Sequence, residues 1–257
     1  MKAQLANRAV IALVGPEARS FLQGLVTNDV EQLAPARPAY AALLTPQGKI
    51  LFDFLIFGDD DGLLLDAPRQ VREALIKRLS LYKLRAKVTI AARDDLAVMV
   101  GSGNPDPRHR ALPARMIGPV TDGPSGDDAY LATRLDLGIP EGADFGQDKM
   151  FALDAGLDEL HAVSFDKGCY VGQELTARMK HRGTARKRLL LATTAGAPLP
   201  LDGSVTADDH EIGTITSVYG QRGFALIRLD RLTEFSGAAL DVNGMRITVS
   251  KQDWLAP

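Results

Sequence analysis

The end of the chain is a series of short β-rich segments, and this pattern constrains the fold more than any other feature. The segments are residues 189–193, 204–207, 211–218 and 224–229. A hairpin signal follows at 241–247, where Asn243-Gly244 suits the positive φ angles of a type I′ turn. Closely spaced short strands are typical of a small barrel or a sandwich. We therefore predict a C-terminal β domain over residues 183–257, a small β-barrel that begins near Gly183.

The preceding residues mix helix and strand signals. Residues 18–25 have apolar side chains at helical spacing, and residues 40–44 and 50–57 flank a turn and predict a β-hairpin. A strand at 63–65 should lead into a helix that carries Leu75 and Leu79 on its buried face. We expect an α+β region here.

Two further segments complete the prediction for residues 1–182. Apolar and polar residues alternate over 84–90, as in a half-buried strand. Residues 101–128 are rich in proline and glycine, which predicts a loose connection with at most one short strand near Met116.

Composition excludes several classes of protein. The 257 residues are 46% hydrophobic and 24% charged with a formal net charge of -2, which gives no overall attraction to nucleic acid or membrane. No segment is long and apolar enough to span a bilayer or arranged as a signal peptide. The default expectation is a soluble cytoplasmic protein.

The chain has one cysteine, Cys169, and four scattered histidines. One cysteine cannot form an internal disulfide, and one chain cannot supply a Cys-rich zinc or iron–sulfur site. We therefore predict no metal bound by one chain alone.

The segment KGCYVGQELTAR at residues 167–178 is the most informative for chemistry. Cys169 lies between two glycines, two positions after Lys167, and just before a helix predicted over residues 173–181. A nearby ammonium and a helix N-terminus both favour thiolate over thiol. A lone cysteine is more often a small buried side chain, and no nearby histidine provides a base for hydrolase chemistry. A reactive Cys169 and a structural one both remain open from the residues alone.

A basic run follows the thiol segment, from Arg178 to Arg188, without an acidic residue. The run predicts either a solvated surface or a site for an anion or an acidic partner protein. No aromatic residues are interleaved for stacking, so nucleic acid is the weaker alternative.

The thiol segment resembles the signature of the YgfZ family and its mitochondrial iron–sulfur assembly counterpart. Other segments are similar to motifs of the wider glycine-cleavage T-protein superfamily, in the same order. They are FLQGLVTNDV at 21–30, PQGKIL at 46–51, RLDLGIPEG at 134–142 and GTITS at 213–217. The resemblance therefore extends over nearly the whole chain.

The resemblance implies a GcvT-like ring of α+β subdomains with a C-terminal barrel, enclosing a cavity for tetrahydrofolate. It implies a folate-binding accessory protein for assembly or repair of iron–sulfur proteins, with those assembly or client proteins as partners. Cys169 would be its functional thiol and Lys167 would tune it. The residues expected to contact the ligand or order its loop are Asp53, Arg134, Asp136, Tyr170, Gln173, Glu174 and Arg178.

Two departures from the T-protein pattern bear on the alternative, a tetrahydrofolate-dependent aminomethyltransferase or demethylase, and the first argues against it. T-proteins have paired aspartates where this chain has Phe52-Asp53, and a glutamate where it has Asp136. Proton transfer needs a carboxylate within hydrogen-bonding reach, so losing one of a pair weakens the case for transfer. A non-catalytic module that uses the basic run to bind an acidic partner is the third hypothesis.

Overall fold

The computed structural model describes residues 2–31, 33, 37–183 and 186–256. Within these residues the strands form a three-stranded sheet, a five-stranded sheet and a closed barrel. The strands are β1 Ala3–Leu5, β2 Arg8–Val14, β3 Ala39–Leu44, β4 Ile50–Asp59, β5 Gly62–Pro68, β6 Thr89–Ala92, β7 Leu96–Asn104, β8 Arg115–Pro119, β9 Lys187–Thr193, β10 Ser204–Ala207, β11 His210–Tyr219, β12 Arg222–Arg228, β13 Leu240–Val242 and β14 Met245–Ser250.

The helices lie between the sheets and at their edges. They are α1 Ala18–Gln23, α2 Arg72–Lys83, α3 Asp127–Asp136, α4 Gln173–Arg182 and α5 Leu229–Glu234, with 3₁₀ turns at Arg69–Val71 and Gly142–Phe145. None of the helices in the described ranges is long and apolar enough to cross a bilayer.

The five-stranded sheet, in the order β3-β4-β5-β2-β6, is buried on both faces. Alternation along β2 sends Ile11 and Leu13 to one face, where they pack with α1 and α2. Val10 and Ala12 point to the other face. A strand buried on both sides needs apolar residues at consecutive positions, which is why β2 has an unbroken apolar run after Arg8.

The largest core lies where the five-stranded sheet, the sheet β1-β7-β8 and the barrel meet. It includes Val98 from the three-stranded sheet, Tyr130 from α3 and Phe224 from the barrel strand β12. Phe145 and Leu157, from the connection between α3 and α4, are fully buried in it. The functional residues described below surround this junction.

The C-terminal strands close into a barrel in the order β10-β11-β12-β9-β14-β13. The tight turn between β13 and β14 has positive φ at Asn243 (53°) and Gly244 (80°), as the Asn-Gly pair predicts. The predicted barrel is confirmed, and the sandwich alternative is wrong.

The predicted strand over 84–90 is wrong in its first half. Helix α2 continues to Lys83, the chain turns at Leu84, and strand β6 begins only at Thr89. Leu84 is 88% exposed and has φ 45°, whereas Val88 is buried with Ala86 and Ile90 packed partly buried beside it, so the alternation marks a buried face only after Leu84.

The proline- and glycine-rich stretch at 101–128 is more ordered than predicted. It contains the end of β7, all of β8 and the start of α3. Strand β8 pairs with β7, with Met99 opposite Met116, so this stretch completes the three-stranded sheet.

Candidate functional site

A cavity of about 420 Å³ opens beside helix α3. Its walls come from the start of β2, the end of β5, α3, the turn at Gly142 and the barrel strand β11. Arg8, Tyr130, Arg134, Glu141 and Tyr219 provide its polar groups. This volume is in the range of small-molecule sites in proteins.

Glu141 is the centre of the charges around the cavity. Its Oε2 accepts hydrogen bonds from Arg108 Nη1 (2.6 Å) and from the Tyr130 hydroxyl (2.9 Å). Its Oε1 lies 3.9 Å from Arg8 Nη1 and 3.8 Å from Arg134 Nε. Burial alone would raise the pKa of Glu141, but the surrounding guanidinium groups outweigh it and hold that pKa well below its usual range. Glu141 is therefore ionised at neutral pH.

Arg134 joins the cavity to the barrel. Its Nη1 donates to the carbonyl of Ile139 (2.7 Å) and to Asp144 Oδ2 (2.6 Å), and its guanidinium lies 5.3 Å from the Tyr219 ring centroid. The buried Nε has no hydrogen-bond partner among the described residues. The Nε lies 3.8 Å from Glu141 Oε1, so Arg134 lines the cavity with a guanidinium that two carboxylates hold in place.

A second tier of buried ion pairs supports the first. Asp66 accepts from Arg8 Nε and Arg115 Nη1, both at 2.6 Å, and Asp106 accepts from Arg108 Nη2 at 2.7 Å. All of these side chains are at most 2% exposed. Sequence reasoning missed Arg8, Asp66, Asp106, Arg108, Arg115, Glu141 and Asp144. One signal was available, since Arg8 directly precedes an apolar strand.

Asp53 lies near this cavity, as a member of strand β4. Its Oδ2 accepts from the Tyr40 hydroxyl and its Oδ1 from the Gly142 backbone N–H, both at 2.9 Å. Burial and the nearby Glu141 charge raise the pKa of Asp53, while Arg8 and these two hydrogen bonds lower it less. Asp53 lines a neighbouring hollow of about 250 Å³ that shares Gly142 and Ala143 with the cavity.

Asp136 does not face the cavity. Its side chain is 69% exposed and accepts from Arg222 Nη2 at 2.7 Å. Residues two apart on a helix point in different directions, so Arg134 and Asp136 cannot both face the same hollow. The expectation that Asp136 contacts a pterin beside Arg134 is therefore corrected.

The thiol segment occupies a different place in the molecule. Cys169 is exposed, whereas Lys167 is 8% and Tyr170 7% exposed. The Lys167 ammonium donates to the carbonyls of Gln23 (2.7 Å), Val26 (2.8 Å) and Asn28 (2.8 Å) and lies 5.2 Å from the Tyr170 ring centroid.

Lys167 therefore ties the thiol segment to the loop after α1. Its three N–H bonds all point at carbonyls, so none remains to donate to the thiol. Burial lowers the pKa of Lys167 to about 8, against the opposing charges of Asp29 and Glu31. An effect of Lys167 on Cys169 reactivity stays a prediction.

The turn between β3 and β4 supports the thiol segment from a second side. Gly172 has φ 82°, and a Cβ on it would lie 2.5 Å from the carbonyl oxygen of Thr45. Gly48 packs against the same backbone, because a Cβ added to it would lie 3.3 Å from the carbonyl oxygen of Gly172. Three motifs that are distant in sequence thus meet beneath Cys169.

The remaining predicted residues lie on α4. Gln173 is half-buried at its first position, and Glu174 and Arg178 form an exposed ion pair at 2.8 Å. Of the predicted residues only Arg134 lines the cavity. Tyr170, Gln173, Glu174 and Arg178 lie outside this cavity, so they do not share a ligand there with Arg134, and the alternative that they order the thiol loop stays a prediction.

Metal chemistry has no support from side-chain clusters. The described part of the chain contains no group of three or more His, Cys, Asp or Glu residues that could hold a metal ion.

Comparison with known proteins identifies the family. Residues 186–257 match the family described as CAF17, C-terminal beta-barrel domain. The chain is 34% identical over 279 residues to the iron–sulfur cluster assembly factor IBA57, mitochondrial, of Mus musculus, which covers 89% of this chain and 78% of that protein. The chain belongs to the IBA57 family.

Other members agree. The human mitochondrial IBA57 is 32% identical over 277 residues, covering 89% of this chain and 78% of that protein. The Neurospora crassa homolog is 33% identical over 245 residues, and the match spans 56% of its length. The resemblance to an iron–sulfur assembly family is confirmed, while placement in the YgfZ branch stays a prediction.

The chain also has the predicted architecture. It is similar to the glycine cleavage system aminomethyltransferase T of Bartonella henselae, with a TM-score of 0.75 over 98% of this chain and 85% of that one. Sequence identity is 15%, so the likeness concerns the fold. The predicted GcvT-like fold with a C-terminal barrel is confirmed.

The expected cytoplasmic location is wrong for this family. The relatives compared above are all named as mitochondrial proteins. The expectation came only from the absence of an export signal, which carries no information about import into an organelle.

Proposed function

We propose that this chain supports the assembly or repair of iron–sulfur proteins through the thiol of Cys169. The observation that carries the proposal is that Cys169 is exposed while its supports, Lys167 and Tyr170, are buried. A cysteine with a packing role would show the reverse arrangement. The relatives' names as iron–sulfur cluster assembly factors support the same conclusion.

The chemistry of a single thiol defines the role. Thiolate is the form that ligates iron, and a cluster takes four protein ligands. Cys169 therefore provides one ligand to a cluster in transit, and a partner protein or a small thiol provides the others. The cluster is cargo, so the protein needs no resident metal site.

We further propose that the cavity beside α3 binds tetrahydrofolate. The fit rests on the Arg134 guanidinium, which lines a hollow that also has Tyr130 and Tyr219 in its walls. Arg134 would donate to a ring acceptor, and the locked Glu141 would keep that guanidinium oriented. Tetrahydrofolate, when bound, supplies one-carbon carrier chemistry.

The cavity and the thiol then have separate tasks. Arg8, Arg108 and Glu141 are paired among themselves, so the ligand meets a wall that is already organised. Asp53 has both oxygens engaged by Tyr40 and Gly142, which leaves it in a supporting role. Partner proteins would approach on the side of Cys169, with the basic run Arg178 to Arg188 as the docking element.

Complementation tests the thiol. A strain lacking this protein is supplied with wild type, Cys169→Ser or Asp166→Asn, an exposed neighbour in the same loop. The activity of a cluster-dependent enzyme is measured against a cluster-free enzyme. Cys169→Ser should fail while Asp166→Asn restores activity. Full restoration by Cys169→Ser would refute the thiol role.

Calorimetric titration of the purified chain with tetrahydrofolate tests whether the cavity binds this ligand. Arg134→Lys should weaken binding because lysine has no planar guanidinium that can contact Asp144 and Glu141 and still face the cavity, and Asp136→Ala should leave binding unchanged. Equal loss in both variants would contradict the proposed pose. Turnover of an aminomethyl donor during the titration would instead favour the transferase alternative.

A further inference from the structure

A second hollow lies between helix α4 and the barrel, and it is distinct from the cavity beside α3. It has a volume of about 510 Å³, and we call it the basic groove. Its basic side chains are Lys149, Arg178, Arg182, Arg186 and Lys187. Asp154 is the single carboxylate in its lining.

The structure divides the basic run into two functional sets. Lys180 donates to Asp158 at 2.9 Å, and Arg188 donates to Glu159 at 2.9 Å and to the carbonyl of Leu153. These two residues tie α4 and β9 to the segment beneath them. Lys180 and Arg188 therefore have a structural role, since their hydrogen bonds are made within the chain.

The second set is free to meet a partner. Arg182, Arg186 and Lys187 are exposed and have no ion pair with the described residues. Among the described residues, Arg178 pairs with Glu174, which is 88% exposed, and Lys149 pairs with Asp202 at 4.0 Å. Exposed pairs of this kind contribute little and exchange readily.

The floor of the groove is apolar. Phe151, Leu175, Met179 and Leu226 line it, each partly buried. A solvated basic surface has no need of such a floor. The combination of a charged rim and an apolar floor matches the two faces of an amphipathic helix.

We propose that the basic groove binds an acidic amphipathic helix of a partner protein. Carboxylates of that helix would meet Arg182, Arg186 and Lys187, and its apolar face would contact Met179 and Leu226. Charge complementarity selects this occupant, because the groove presents five cations around one carboxylate. Nucleic acid would leave the aliphatic floor without a stacking partner.

The groove lies on the same helix that follows the thiol segment. Helix α4 begins at Gln173, four residues after Cys169, and its residues Arg178 and Arg182 line the groove. A partner held in the groove therefore lies within a few helical turns of the thiol. This inference rests on the proposed function of Cys169, because closeness to the thiol matters only if the thiol acts on the partner. Binding of a peptide in the groove can be measured without that assumption.

Fluorescence anisotropy of a labelled amphipathic peptide, with glutamates on one face and leucines on the other, tests the groove on the full chain. Arg182→Glu combined with Arg186→Glu should raise Kd at least about tenfold. The matched control is Lys77→Glu combined with Arg78→Glu, which changes net charge equally on exposed positions of α2. The control should change Kd less than about twofold, because distant exposed charges are screened by salt.

The floor is tested with Met179→Gln, a change of similar shape that suits a helix. It should raise Kd for the amphipathic peptide and leave unchanged the binding of a scrambled peptide of the same composition. Equal affinity for both peptides in the wild type would overturn the proposal, as would tighter binding of a single-stranded oligouridylate. The two proposals can fail separately. If Cys169→Ser fails in complementation but binds the peptide like wild type, the first result supports the thiol role and the second shows that the groove binds without the thiol.

Discussion

A buried carboxylate has a lowered pKa beside the cavity at α3 and a raised pKa under the basic groove that follows the thiol segment. Glu141 in the cavity is buried among arginines that hold its pKa below the usual range. Asp154, under the basic groove, is also buried, yet burial raises its pKa to about 6 despite Lys187 and Arg188. Four guanidinium groups lower the pKa of Glu141, whereas two cations oppose the effect of burial at Asp154, so the difference follows the number of cationic partners.

This difference is what we would expect if the cavity binds a small ligand and the surroundings of Cys169 contact a protein, as proposed above. In the cavity each carboxylate is hydrogen-bonded, which fixes the geometry that a small ligand meets. Around Cys169 the fixed groups are the supports, Lys167 and Gly172, while the thiol and most of the cations are exposed. Selectivity for a ligand and access for a protein need these opposite arrangements.

The largest expected effect on the free energy of unfolding is the loss of the Glu141 charge beside the cavity. Glu141→Gln leaves Arg8, Arg108 and Arg134 without their shared carboxylate, and we expect a loss of about 3–5 kcal/mol in unfolding free energy. Urea denaturation measures it. The control, Glu174→Gln, breaks the exposed pair with Arg178 and should cost less than about 0.5 kcal/mol. Similar losses in the two variants would contradict the comparison.

The next largest effect concerns the backbone beneath the thiol. Gly172→Ala should lower the free energy of unfolding by about 3 kcal/mol. The added Cβ would clash with the Thr45 carbonyl oxygen, and alanine is also strained at a positive φ. Gly244→Ala is the control, since Gly244 has φ 80° but nothing within 4 Å of a Cβ. It should cost about 1 kcal/mol. Equal costs, by thermal or urea unfolding, would show that the packing against Thr45 is unimportant.

The sequence predicted those parts of the fold that depend on local chemistry. The Asn243-Gly244 turn, the hairpin of β3 and β4 and helix α4 were all predictable, because each depends on neighbouring residues. Helix α3 was missed in a region rich in proline and glycine. Its signal was present in Ser125, whose hydroxyl accepts from the Asp127 N–H at the start of the helix.

The candidate site was less predictable because its contacts are distant in sequence. Asp66 and Arg115 are 49 residues apart, and Arg108 and Glu141 are 33 apart. No local pattern indicates that such residues will be paired. The thiol segment was found through its motif, yet its support by three carbonyls near Asn28 required the structure.

Lys167 provides the third test. Lys167→Met leaves the carbonyls of Gln23, Val26 and Asn28 without this donor, which should cost about 2 kcal/mol. Hydrogen exchange should also quicken at Ser164, whose N–H donates to the Thr27 carbonyl in the same junction. Lys77→Met, on the exposed face of α2, is the control and should change neither quantity. Unchanged exchange at Ser164 would mean that Lys167 does not hold the segment in place.

Asp154 provides the smallest and most specific test. Because its pKa rises from 3.8 to about 6 on folding, the folded state binds the proton more tightly than the unfolded state. The resulting stabilisation is complete below about pH 3.8 and is lost as pH rises through about 6. Asp154→Asn should remove this part of the pH dependence.

At neutral pH the same variant should be more stable by about 1 kcal/mol, since relief of the buried charge exceeds the cost of burying an amide. Denaturation curves at several pH values measure both effects, and Glu174→Gln is again the exposed control. If Asp154→Asn kept the pH dependence of wild type between about pH 4 and 6, the pKa of Asp154 would not be raised on folding, and its cationic partners would offset burial as the arginines do at Glu141. The contrast between the two regions would then be lost.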